Sequence, residues 1–162
     1  MNNETIKKVL ISIAIVLFIF FLDRTTKILI LNIAEDAGKV DIYVNSFLNL
    51  YLVWNKGIGF GLFSFNEEHS YNLITILIIL INFIILYLIY IEKGLKSYFL
   101  LTILGGSLGN LFDRIYYNAV PDFFDFNYKG FHWFIFNVAD IFITIGIILL
   151  ILTEVINYKK IK

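Results

Sequence analysis

The chain has no cysteine, one proline and two histidines among its 162 residues. Without cysteine there is no disulfide scaffold, no thiol nucleophile and no thiolate-held metal. His69 and His132 are too few for an imidazole metal cluster. Charge is scarce as well: Asp, Glu, Lys and Arg supply 16% of the residues, against about a quarter in a soluble domain. Thirteen basic and thirteen acidic residues cancel, so no basic field exists to attract nucleic acid. What is abundant is apolar: 59% of the chain is hydrophobic and 17 residues are Phe. With a mean hydropathy of +0.81, disorder is excluded, because it needs low hydrophobicity and high charge. A water-soluble globule is excluded by the same excess, and a small integral membrane protein remains.

A membrane-crossing helix needs about 20 mostly apolar residues. Residues 9–31 read as a first span, interrupted near its far end by Asp23-Arg24-Thr25-Thr26-Lys27. Residues 9–22 alone also fit the core of a signal peptide behind Lys7-Lys8. No small-residue cleavage site follows, and apolar residues resume at Ile28, so the segment is read as a retained helix. Residues 73–91 carry no charge and one Asn; 97–114 and 131–153 complete the set. The expected fold is therefore integral-membrane and mainly α: a single membrane domain over 1–162 with four transmembrane helices. The expected outer segments are 32–72 and 115–130. In the first, residues 39–54 form short β-prone runs and Asn55-Lys56-Gly57-Ile58-Gly59-Phe60-Gly61 ends them with turn chemistry, which predicts a small extracytoplasmic β-rich segment between helices 1 and 2. Lys7, Lys8, Lys93, Lys96, Lys159, Lys160 and Lys162 all fall at the two ends and in the connection between the second and third spans. Basic residues mark the cytoplasmic side, so both termini are expected inside.

With that topology, the strongly polar residues of the spans collect at one depth, just inside the outer interface. Asp23, Lys27, Asn110, Asp113 and Arg114 lie at the outer ends of helices 1 and 3, and Asn137 and Asp140 near the outer start of helix 4. Ionisable groups in spans are costly and usually face a polar interior or cavity. Several have plain structural readings. Asp23 and Lys27, at i and i+4, can neutralise each other, and Gly105-x-x-x-Gly109 fits close helix packing. Asp113-Arg114 can snorkel, and the aromatic runs and His132 fit the interface. Asp122 and Asp140 resist such readings, because Asp140 has no basic residue within a helical turn or two. Two carboxylates in a poorly hydrated site cannot both ionise cheaply, so one retains its proton. A water-activating pair, a proton or ion relay, and structural carboxylates all stay open on chemistry alone. A proton-linked transporter or a non-catalytic assembly subunit are the rivals from other classes; the first is weakened by the absence of inverted repeats and midplane charge.

The chain resembles the bacterial lipoprotein signal peptidases (signal peptidase II), which are integral-membrane aspartic peptidases. Five motifs carry the resemblance over nearly the whole length: Asp23-x-x-Thr26-Lys27, Asn55-x-Gly57-x-Gly59-Phe60-Gly61, Gly105-Gly106-Ser107-Leu108-Gly109-Asn110-x-x-Asp113-Arg114, Val120-Pro121-Asp122-Phe123 and Phe136-Asn137-Val138-Ala139-Asp140. Arg24 stands where Gln is common, and Gly59 and Gly61 depart from the usual second motif. The resemblance implies Asp122 and Asp140 as catalytic dyad. It implies Asn55, Asn110, Arg114 and Asn137 as residues lining or supporting the substrate site, and Asp23 and Lys27 as residues serving activity or stability. It further implies a substrate, a diacylglyceryl-modified prolipoprotein cut just before its lipid-bearing cysteine. No metal and no organic cofactor is expected, and lipopeptide inhibitors and membrane lipid are expected partners. The implied location is the bacterial cytoplasmic (inner) membrane, with the active site near its outer face.

Overall fold

The computed structural model describes residues 2–57, 68–129 and 131–161. The elements run α1 (Asn3–Ala37), β1 (Asp41–Asn45), β2 (Leu48–Asn55), α2 (Glu68–Ile91), α3 (Leu95–Tyr117), β3 (Val120–Tyr128), β4 (Phe131–Phe136) and α4 (Val138–Ile161). α1, α2 and α4 each contain a stretch long and apolar enough to cross a membrane. α3 is 23 residues long, but its glycines, Asn110, Asp113 and Arg114 lower its hydropathy. It is instead the central helix, packing against each of the other three. Large apolar side chains point outward along the peripheral helices, among them Phe18 at 64% and Leu73 at 68% exposure. Such faces suit lipid, not water.

α1 exceeds its expected bounds at both ends. At 35 residues it is about 52 Å long, well beyond a bilayer's hydrocarbon thickness. It stops at Gly38, whose φ of 74° is left-handed and closes the helix without a Cβ clash. β1 and β2 form where alternation and turn residues predict them, and Asn45 Oδ1 turns the hairpin by accepting from the N–H groups of Phe47 and Leu48. The sheet is larger than expected. Its order is β1-β2-β3-β4, all antiparallel, so two of its strands lie between α3 and α4: β3 comes from the expected 115–130 segment and β4 from residues expected in the fourth span.

The fourth span also needs correcting. Residues 131–136, assigned to a helix on hydropathy, form strand β4, with Phe124 opposite Phe136 and Tyr128 opposite Phe131. Hydropathy measures apolarity and not conformation; Phe-His-Trp-Phe-Ile-Phe is aromatic and β-branched, so it suits a strand that finds a partner. α4 starts only at Val138. Among the described residues, two buried clusters hold the helices and the sheet together. Ile85, Leu100, Ile103 and Leu104 pack between α2 and α3, with Val16 and Ile143 against them. Ile30, Val40 and Phe123 lock the C-terminal end of α1 to the sheet.

Candidate active site

Three glycines let α1 and α4 approach α3 closely. A Cβ on Gly106 would stand 2.5 Å from the Ala139 carbonyl oxygen, and one on Gly109 would stand 2.6 Å from Asp23 Oδ2. Gly105 lies against Ile19 in the same way. The glycine pattern is thus a packing device, and what it packs together is the polar level at the helix ends.

The Asn137-Val138-Ala139-Asp140 segment starts α4 with a reciprocal cap. Asn137 Oδ1 accepts from the Asp140 N–H at 3.1 Å, and Asp140 Oδ2 accepts from the Asn137 N–H at 3.2 Å. The orphan N–H of Ala139 donates to Asp23 Oδ1 at 3.0 Å, which ties α1 to the same helix start. Asn137 Nδ2 is left free to donate to Asp122 Oδ1, at 2.6 Å. One fully buried asparagine therefore touches both aspartates.

Pairing of β2 with β3 supplies the remainder. Val53 opposes Asp122 and Asn55 opposes Val120. From that register Asn55 Nδ2 donates to Asp122 Oδ2 at 2.8 Å, while its Oδ1 accepts from Gly57 N–H. On the other side Asn110 Nδ2 donates to Asp140 Oδ1 at 2.8 Å. The carboxylates are 3% and 8% exposed, and among the described residues every hydrogen-bond partner they have is an amide. Burial, and next the negative charge of Asp140, pushes Asp122 up to about 7, against the opposing hydrogen bonds from Asn55 and Asn137.

Behind Asn110 lies a buried charge cluster. Lys27 Nζ donates to Asp23 Oδ2 at 2.8 Å, to Asp113 Oδ2 at 2.6 Å and to Asn110 Oδ1 at 2.8 Å. The i, i+4 pairing of Asp23 and Lys27 is present, but it is one edge of a larger network. Asp113, grouped by sequence with the polar helix ends but given no site role, is fully buried and pairs on its other oxygen with Arg24 Nη2 at 2.5 Å. Its spacing of three from Asn110 was the available signal, since that puts both on one helix face.

Arg114 goes elsewhere. It is 3% exposed, its Nη2 donates to the Gly57 carbonyl, and its guanidinium lies 5.5 Å from the Tyr71 ring centre. The Tyr71 hydroxyl in turn donates to the Arg114 carbonyl at 2.9 Å. Among the described residues Arg114 thus fastens the 55–57 segment to α2 and α3 and makes no hydrogen bond to either aspartate; Tyr71 gave no signal in sequence. Gly59, Phe60, Gly61 and His69 lie outside the residues whose side chains are described. His132, read as an interface residue, is exposed but also pairs through Nδ1 with buried Asp125 at 2.9 Å. No set of three His, Asp or Glu side chains suited to a metal occurs among the described residues. What the site does offer is two buried carboxylates joined by one asparagine, an arrangement suited to sharing a proton.

The family model for signal peptidase (SPase) II matches residues 15–156. A lipoprotein signal peptidase of Pelagibacter ubique (strain HTCC1062) is 52% identical over 161 residues, 99% of this chain and 97% of that protein. One from Anaplasma phagocytophilum (strain HZ) is 38% identical over 91% of this chain and 94% of its own length. In three dimensions the chain is similar to a solved bacterial membrane enzyme, with a TM-score of 0.75 and 30% identity over 93% of this chain and 91% of that one. The matched residues span all four helices and the sheet, and on that ground the chain belongs to the signal peptidase II family of lipoprotein signal peptidases.

Proposed function

We propose that Asp122 and Asp140 activate water to cut a prolipoprotein just before its diacylglyceryl-modified cysteine, releasing the signal peptide. The observation that carries this reading is the shared asparagine: Asn137 binds both carboxylates, which are buried and, among the described residues, have only amide partners. The ionised carboxylate takes a proton from water as its oxygen attacks the scissile carbonyl carbon. The protonated carboxyl gives its proton to the carbonyl oxygen. Collapse of the tetrahedral intermediate breaks the C–N bond: the first carboxyl, now protonated, gives its proton to the leaving cysteine nitrogen while the second carboxylate takes one from a hydroxyl of the intermediate, so the pair again holds one proton. Each acid or base role is worth roughly 10²–10⁴-fold in rate. The pair titrates as a unit.

Asn55, Asn110 and Asn137 act as positioning residues through their hydrogen bonds to the two carboxylates. Lys27 and Asp23 hold Asn110 and the start of α4, and Arg114 holds the 55–57 segment. α3 is the fourth span, with its polar face covered by α1 and α4, and both termini are cytoplasmic. The sheet then lies on the outer face of the cytoplasmic membrane, where the substrate's acyl chains meet its peptide. Its exposed aromatics, Tyr43, Trp54 and Trp133 among them, suit that interface. The aromatic strands also serve as a lid against bulk water, and lipopeptides that mimic the lipidated segment would compete there. With Asp122 raised to about 7, loss of the last shared proton should make kcat/KM fall as pH rises through about 7 and above.

The test is product mapping. Purified enzyme in detergent is given one prolipoprotein with and without diacylglyceryl on its cysteine, and the products are weighed by mass spectrometry. Cleavage before the lipid-bearing cysteine, with the unmodified substrate left intact, is expected. Cleavage elsewhere, or equal cleavage of both forms, contradicts the reading.

A further inference from the structure

Arg24 is 7% exposed and sits at the back of the site, with Nη2 2.5 Å from Asp113 Oδ1 and 3.8 Å from Asp23 Oδ2. Its guanidinium carbon lies 4.9 Å from the centre of the Phe112 ring. The contact with Asp113 is one of charge: the guanidinium is not aligned for a directed hydrogen bond, and Nε and Nη2 have no hydrogen-bond acceptor among the described residues. Direct hydrogen bonding therefore does not explain this arginine. Charge does. Asp23 and Asp113 bring two buried negative charges and Lys27 brings one positive, so without Arg24 the cluster would carry a net negative charge. With it, the sum is zero.

That sum matters because the cluster is wired to the aspartates. Lys27 Nζ binds Asn110 Oδ1, and Asn110 Nδ2 binds Asp140 Oδ1. Asp23 reaches the same helix start through the Ala139 N–H. Among the described residues, the titratable groups packed around Asp122 of β3 and Asp140 of α4 are Asp23, Arg24 and Lys27 from α1 and Asp113 from α3. Arg114 of α3 and Tyr71 of α2 are engaged with each other and with Gly57. Buried charges are poorly screened, so a net charge behind Asn110 is felt at the dyad.

We propose that Arg24, the position at which the first motif departs from the family pattern, is a positioning residue that neutralises the buried Asp23–Lys27–Asp113 cluster and thereby sets the pH range over which the two aspartates hold one shared proton. Removing its charge leaves a negative cluster beside the dyad. A like charge disfavours ionisation, so both macroscopic titrations of the pair move to higher pH. The proposal rests on the aspartic peptidase reading.

The test measures kcat/KM against pH for the full chain in detergent, with diacylglyceryl-modified prolipoprotein as substrate and thermal unfolding as a check on each variant. Arg24→Gln should shift the whole bell upward by roughly half a pH unit or more. Arg24→Lys should leave it near the wild-type position. Arg24→Gln combined with Asp113→Asn restores a neutral cluster and should return the bell to wild type, which a merely structural role would not do. A folded Arg24→Gln variant whose profile superimposes on wild type overturns the proposal, as does a double variant shifted as far as the single one. If Arg24→Gln fails to fold, the other two variants carry the test: both must show the wild-type profile, and a displaced bell in either one overturns it. Failure of wild type itself to cut the substrate strikes the peptidase reading instead.

Discussion

Lys27 directs all three ammonium protons to oxygen acceptors inside the protein and is 0% exposed. Removing one partner of a buried ion pair costs about 3–5 kcal/mol, because the other charge is left uncompensated. Lys27→Met should therefore lower the unfolding midpoint in detergent sharply, and Asp113→Asn in the same chain should recover part of the loss. An additive double variant would mean that the two residues are not coupled. Asp122 makes a second prediction. In the unfolded chain it ionises near 3.8; in the folded chain it does so near 7. The folded state thus holds the extra proton between those values, and stability falls as pH rises through that window. Asp122→Asn removes this group's proton from the pair, so its midpoint relative to wild type should rise from pH 4 to pH 8; a constant difference would contradict the raised value. At this scale the sequence exposed Asp122 and Asp140 because carboxylates near a span stand out. For Asp113 the sequence offered only its spacing from Asn110 on one helix face, since its partner Lys27 is 86 residues away.

α3 is the element on which the site is built. Its glycines admit the Asp23 carboxylate and the Ala139 backbone to within van der Waals distance of the helix. Ala139 lies between Asn137 and Asp140, so any outward shift there moves the cap and the aspartate with it. Gly106→Ala would force a backbone shift, and overpacking of this kind costs about 1–3 kcal/mol. The midpoint should drop by that amount and turnover should fall with it; an unchanged turnover would show that the α3–α4 spacing is not critical for the dyad. The glycine pattern was legible in sequence as close packing, although not which helices it joined. β4 was misread because an apolar aromatic run beside an apolar helix offers hydropathy no boundary. The boundary that existed was the Asn137-x-x-Asp140 cap, visible as a helix start once the helix is not assumed to have begun already.

The whole molecule joins the chain between α1 and α2 and the chain between α3 and α4 into one sheet, and only that pairing brings Asn55 to Asp122, across 67 residues of sequence. Long-range strand pairing leaves little local trace, which is why the sheet was expected from the first segment alone. Charge asymmetry, by contrast, is a property of composition, and it predicts the orientation. Because the chain has no cysteine, single cysteines report sidedness cleanly. Lys39→Cys should react with an impermeant maleimide in intact spheroplasts, and Lys93→Cys only after permeabilisation; the opposite pattern would invert the topology. The most direct measurement is single-turnover cleavage of diacylglyceryl-modified prolipoprotein by wild type, Asp122→Asn and Asp140→Asn, each verified as folded in detergent. Wild type should cut before the lipid-bearing cysteine, and each Asn variant should lose at least about 10³-fold in rate. Cleavage at the wild-type rate by either folded variant would remove that aspartate from the reaction and contradict the dyad.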